Sequence, residues 1–204
     1  MSEITFEAWP KIPRLNREMI VTEKIDGTNA AVIIERGAPS DYQTGWTSAA
    51  EYDGGFYKVG AQSRTRLITP EDDNYGFARW VRENAQALVE TLGEGRHFGE
   101  WWGNGIQRGY GLPKGDKRFS LFNTSRWGDV DVSAVPGLGV VPVLYAGGFS
   151  HDIITNIVGT LREHGSVVGQ GYRAEGVVVY LPAARQLFKV LVENDEIPKG
   201  LAEA

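Results

Sequence analysis

The chain contains no cysteine. That excludes disulfides, thiol nucleophiles and cysteine-based zinc sites, and it suits a reducing compartment. No apolar run approaches the length that spans a bilayer. The N-terminal MSEITFEAWPKIPRL has no apolar stretch behind a positive one, so no secretory leader is expected. These absences lead us to expect a cytoplasmic, intracellular protein with no membrane partner. A surplus of positive charge is also missing. The formal net charge is −5, so no global basic field draws in nucleic acid, and any such partner needs a local basic surface. His97, His151 and His164 show no metal-ligand spacing and are read as structural.

What is present describes a folded domain. A length of 204 residues with 42% hydrophobic content supports a real core, and 26 glycines imply many turns. Alternation and β-branched enrichment predict strands near 18–24, 29–35, 57–62, 96–102, 118–123, 140–145, 174–181 and 186–192. Phe77, Trp80, Val81, Leu88, Val89 and Leu92 share one helical face that Gly93 ends. Ile153, Ile154, Ile157, Val158 and Leu161 form a second such face, capped by Ser150 or Asp152 and stopped at Gly165. Segments 37–55 and 103–117 read as linkers. The order predicts one α+β domain over 1–204, with antiparallel sheets packed against helices.

The stretch VTEKIDGTNAAVII, residues 21–34, puts a lysine, a carboxylate and a glycine turn inside an apolar strand pair. One reading is a snorkelling Lys24 with Asp26-Gly27 as a hairpin turn. The other is a nucleophilic Lys24, with the turn bringing backbone close to a phosphate. Glu100 in HFGEWWG, Glu175 in AEGVVVY and Lys189 in QLFKVLV each stand alone within apolar strands. Unpaired buried charges are costly, so several together point to a shared ligand or to mutual pairing. Two carboxylates and two lysines suit a metal-bound nucleoside triphosphate. Pairing remains open for Glu100 with Arg96 or Arg108, and for Glu175 with Lys189.

EKIDGTN, FGEWWGNGIQRG, RFSLFN, EGVVV and FKV occur in that order between about residues 21 and 192. In this they resemble the motifs of the covalent nucleotidyltransferase superfamily of ligases and mRNA-capping enzymes. Within it the chain is most similar to ATP-dependent RNA ligases of the phage T4 RNA ligase 2 type. The resemblance implies an α+β nucleotidyltransferase (ATP-grasp-like) domain using ATP and Mg2+, with Mn2+ as an option. It implies that Lys24 takes the adenylyl group from ATP and that Asn29 serves the later steps at the RNA end. Arg64 would touch phosphate, with Arg66 as the alternative. Glu23 would help read the adenine edge, Ile25 would lie beside the nucleotide, Glu100 would bind ribose, and Phe122 would stack on adenine, with Phe119 as its competitor. Glu175 would hold the metal, and Lys189 would neutralise the α-phosphate.

The partners implied are RNA ends, nicked or single-stranded, with DNA as a secondary acceptor and a phage-encoded origin as one option. The basic segment QRGYGLPKGDKR, residues 107–118, is a candidate RNA contact or a solvated loop. Leu191 stands where the fifth motif often has a second lysine, and Asn123 stands where an aspartate is usual. The chain ends soon after Lys189, so the expectation is a nucleotidyltransferase domain without an OB-fold. A DNA ligase, a capping-type enzyme and a non-catalytic nucleotide- or RNA-binding protein are the competing readings. Asn29, where the first two typically carry arginine, favours RNA ligation.

Overall fold

In the computed structural model, which describes residues 4–41 and 45–196, period-two alternation becomes strand. β1 (Glu18–Lys24) buries Met19, Val21 and Glu23 and half-covers the residues between them. β2 (Thr28–Gly37) buries Ala30 through Ile34 without a break, as a central strand covered on both faces does. β3 (Ser48–Tyr52) and β4 (Gly55–Ser63) form a hairpin, followed by β5 (Leu67–Ile68) against β4. Next come α1 (Phe77–Glu83), α2 (Ala85–Leu92), β6 (Gly95–Gly103), β7 (Lys117–Leu121) and the single turn α3 (Thr124–Trp127). β8 (Leu138–Val140), β9 (Val143–Gly148), α4 (His151–His164), β10 (Gly176–Leu181) and β11 (Gln186–Leu191) complete the order. None of the described helices is long and apolar enough to cross a membrane.

Several expectations change. The helix expected over the Phe77–Leu92 face is two helices. Asn84 sits at φ −111, and its amide Nδ2 donates to the Trp80 carbonyl at 2.8 Å, alongside its own backbone N–H at 3.1 Å. A side chain that bonds the preceding turn in this way competes with the helix ladder. The 37–55 linker contains β3, and Asp53-Gly54, at φ 47 and 66, closes its hairpin to β4. Asp-Gly between β-forming runs is a known signal for this turn. The strand expected at 140–145 is split at Pro142, which has no N–H to donate. The expected strand at 186–192 exists but is not buried. β11 is an edge, with Leu187 66% and Phe188 53% exposed.

The strands form two sheets. One is four-stranded, ordered β11-β10-β1-β9; the other is seven-stranded, ordered β3-β4-β2-β6-β7-β8 with β5 off β4. All pairings are antiparallel except β7 with β8. α1 and α2 cover one face of the larger sheet through Phe77, Val81, Leu88 and Val89, packed on Val32, Val59, Trp101 and Phe119. α4 covers one face of the smaller sheet, with Ile154, Val158 and Leu161 on Met19, Val21, Val177 and Val179. Ser150 caps α4 by accepting the Ile153 N–H at 3.3 Å. A third, small cluster of Ile25, Trp102, Tyr110 and Val141 joins the halves.

This arrangement decides the question raised by residues 21–34. β1 and β2 do not pair with each other; they belong to different sheets. Asp26-Gly27 is therefore not a hairpin turn. It is the span by which the chain crosses from one sheet to the other. A second crossing runs through Val141 and Pro142, where the Val141 N–H donates to Leu121 and the Pro142 carbonyl accepts from Glu23.

Candidate active site

Strand alternation sorts the charged residues. On β6, Gly99 and Trp101 face α1 and α2, so Glu100 faces the other way. On β1, Met19, Val21 and Glu23 face the α4 side, so Lys24 faces the other way. The uncovered faces of the two sheets meet at the crossing. There the Lys24 Nζ donates to Glu175 Oε2 at 2.7 Å, and the Gly27 N–H donates to Glu100 Oε1 at 3.1 Å.

Gly27 has a steric reason to be glycine. A Cβ there would lie 2.4 Å from the Trp101 carbonyl oxygen and 2.8 Å from the Trp102 Cβ. Only a bare backbone approaches β6 closely enough to reach Glu100. Asn29 lies opposite Glu100 in the β2–β6 register, and Ser120 lies opposite Glu100 in β6–β7. The β2–β4 register ends at Ala30 and Ser63, so Arg64 follows at the level of Asn29. In the smaller sheet Leu191, Gly176 and Lys24 form one row, Val190, Val177 and Glu23 the next, and Lys189, Val178 and Thr22 the one after that. Lys189 is exposed and lies two rows from Lys24, so alternation puts it on the same side of the sheet.

Two pairing alternatives close. Glu100 pairs with neither Arg96 nor Arg108, because Arg108 Nε donates to Asp26 Oδ2 at 2.9 Å. Glu175 pairs with Lys24 rather than Lys189. Of the two candidate arginines, Arg66 is engaged by Asp72 at 2.6 Å, whereas Arg64 forms no ion pair with the described residues. Phe119 is fully buried against Phe77 and Trp80, whereas Phe122 is 40% exposed.

Two residues expected beside the nucleotide turn inward. Glu23 is 1% exposed, and its carboxylate accepts from Ser166 Oγ at 2.5 Å and from the Val167 N–H at 3.0 Å. Ile25 fills the small joining cluster. Only their backbones remain to touch a ligand. The basic heads of segment 107–118 are mostly occupied. Arg108 holds Asp26, Lys117 donates to the Tyr75 carbonyl at 2.6 Å, and Arg118 lies over Trp102. Sequence reasoning did not find the roles of Tyr110 and Ser166, whose bonds join residues 84 and 143 positions apart. No local signal marks such bonds.

The charge balance favours a cation. Asp26 has Arg108 and Glu175 has Lys24, but Glu100 has no cationic partner of its own. Burial pushes the Glu100 carboxyl up to about 7; Lys24 and the Gly27 N–H oppose the rise, and Glu175 and Asp26 add to it. Burial likewise raises Glu23, against the pull of Ser166.

The RNA ligase family model matches residues 17–191. The chain belongs to the RNA ligase family. None of the curated proteins compared with it is a match. Among solved structures, an apo point mutant of a Naegleria gruberi RNA ligase superposes with a TM-score of 0.57 at 18% identity. It covers 86% of this chain and 50% of its own. A mutant of the Naegleria gruberi enzyme with ATP and Mn gives 0.59 at 18% identity, covering 88% and 51%. One with AMP and Mn gives 0.58 at 17%, covering 87% and 50%. The chain therefore has the nucleotidyltransferase fold of an RNA ligase and spans about half the length of these relatives.

Proposed function

We propose that this chain is an ATP-dependent RNA ligase catalytic domain that forms a covalent lysyl-adenylate on Lys24. The observation that carries the reading is the Lys24–Glu175 pair at the sheet crossing, within reach of the otherwise unmatched Glu100. The Naegleria gruberi structures with ATP or AMP and Mn support the use of an adenine nucleotide and a divalent cation.

In the first step the Lys24 ammonium gives its proton up to solvent, and the free amine attacks the α-phosphorus of ATP. A P–N bond forms, the P–O bond to the leaving group breaks, and pyrophosphate departs with the electron pair. Lys189 and Arg64 neutralise phosphate charge, and Phe122 offers an exposed face for adenine. Glu100 accepts from ribose hydroxyls once its proton is gone. Glu175, once released from Lys24, would hold a divalent cation, whose chemistry would be charge neutralisation at the phosphates, and the same release frees the Lys24 amine. AMP then passes to an RNA 5′-phosphate, with Asn29 beside the reacting end, and a 3′-hydroxyl displaces AMP to close the phosphodiester.

The test is transfer of label from α-phosphate-labelled ATP to protein in Mg2+ or Mn2+, with Lys24→Ala alongside. Acid-labile label on the wild type alone is the expected result. Folded, deadenylylated wild type that stays unlabelled with ATP, GTP and NAD refutes the proposal. RNA and DNA ends are then compared as acceptors.

A further inference from the structure

Lys24 is bracketed by two anchors, Glu23 immediately before it and Asp26 two residues after it, and each is held by its own loop. On the near side, Ser166 and Val167 grip the Glu23 carboxylate. On the far side, the Asp26 N–H donates to the Tyr110 phenol oxygen at 2.7 Å, and Arg108 Nε donates to the Asp26 carboxylate at 2.9 Å. Arg108 Nη1 also donates to the Arg173 carbonyl at 3.3 Å, tying the 103–112 loop to the 166–173 loop. We propose that Tyr110 and Arg108 are positioning residues that fix the nucleophile span for in-line attack by Lys24. This inference rests on the lysyl-adenylate reading.

The local backbone fits this role. Tyr110 has φ 48 between Gly109 at φ 65 and Gly111 at φ 69. The flanking glycines adopt this region without cost, whereas a tyrosine there is strained. The strain places a phenol that is 2% exposed, edge-on to Trp102 with ring centroids 5.5 Å apart. Burial raises the phenol well above its ordinary range, so it stays a neutral hydroxyl that accepts the Asp26 N–H. Gly169 lies against it so closely that a Cβ would sit 2.7 Å from the Tyr110 Cβ. The packing around Tyr110 therefore leaves the ring little freedom, and the ring in turn fixes where the chain turns after Lys24. Phosphoryl transfer depends on the approach line of the nucleophile, and a displacement of about 1 Å can cost about 100-fold in rate.

The test uses the full chain with Tyr110→Phe, which keeps the ring and removes the hydroxyl, and Arg108→Gln on the half-exposed side. Single-turnover labelling with α-phosphate-labelled ATP is followed as a function of ATP concentration, beside thermal unfolding. The expected result is a fall of about 10-fold or more in the maximal labelling rate for each variant. The half-saturating ATP concentration stays within about 2-fold, because uniform binding is untouched. A purely structural role would instead lower Tm and the active fraction at an unchanged rate, and that outcome overturns the proposal. Wild-type rates in both variants overturn it equally. Should Tyr110→Phe fail to fold, Arg108→Gln alone decides. Absence of label on the wild type removes the ligase reading and this inference with it, whereas labelled wild type with unaffected variants removes only the positioning role.

Discussion

Replacing Glu100 with glutamine tests the electrostatics of the site without any assumption about the reaction. The carboxyl titrates at about 7 rather than 4.5, chiefly because burial disfavours its charged form. A raised carboxyl means that the folded protein holds a proton which the unfolded chain has already released. Its contribution is thus complete below about pH 4.5 and is lost as pH rises through 7. The displacement corresponds to about 3 kcal/mol, and water reaching the half-covered side chain trims this toward about 2 kcal/mol. Glutamine keeps an oxygen for the Gly27 N–H but carries no charge. The difference in unfolding free energy, Glu100→Gln minus wild type, should grow by about 2–3 kcal/mol between pH 4.5 and 7.5 and then level off. Urea unfolding at closely spaced pH values measures it, with the slopes m held equal between the proteins. Subtracting the variant cancels Glu23, whose raised carboxyl gives the same sign. Parallel curves across that range would refute the argument that Glu100 is an unmatched buried carboxylate.

Phe119 and Phe122 should separate cleanly. Phe119→Ala empties a fully buried ring site and costs about 3–5 kcal/mol by chemical denaturation. Phe122→Ala shifts stability by less than about 0.5 kcal/mol and instead raises the ATP concentration needed for half-maximal labelling. Gly27→Ala drives a methyl into the Trp101 carbonyl, so a loss of about 2 kcal/mol or more is expected, together with lost labelling. A Gly27→Ala protein of wild-type stability would show that the crossing is slack. Arg66→Ala removes an exposed ion pair with Asp72 and should alter stability by under about 1 kcal/mol, with labelling unchanged. Arg64→Ala should slow labelling at unchanged stability.

How much of this could be read from the residues alone depends on range. α4 was legible because its cap, apolar face and glycine stop lie within one contiguous stretch. The charged centre was legible because a lone Lys24, Glu100 or Glu175 in an apolar strand has no local explanation. The motif order then supplied their grouping. The partner choices were not legible. Whether Glu175 meets Lys24 or Lys189 depends on strand order, and Arg108 could be given to Asp26 only once the loops were placed. The hairpin reading of Asp26-Gly27 failed for a related reason. A two-residue turn and a sheet-to-sheet crossing carry the same local signature, and only the pairing of β1 with β9 and β10 distinguishes them. Alternation cannot tell an edge strand from a central one, which is why the exposure of β11 was hidden.

The two sheets each rest on their own core, and among the described residues the small apolar cluster of Ile25, Trp102, Tyr110 and Val141 joins them. Mechanically the molecule is two plates on a narrow joint, and Lys24 sits on that joint. A nucleotide that touches Glu100 on one plate and Glu175 on the other would act as a clasp. Occupancy should then be felt first in the cooperativity of opening. The unliganded protein should exchange amide protons by plate-wise separation, and the adenylylated one only by opening as a whole. Covalent charging of Lys24 would thereby turn a chemical state into a stiffness that an incoming strand end could sense.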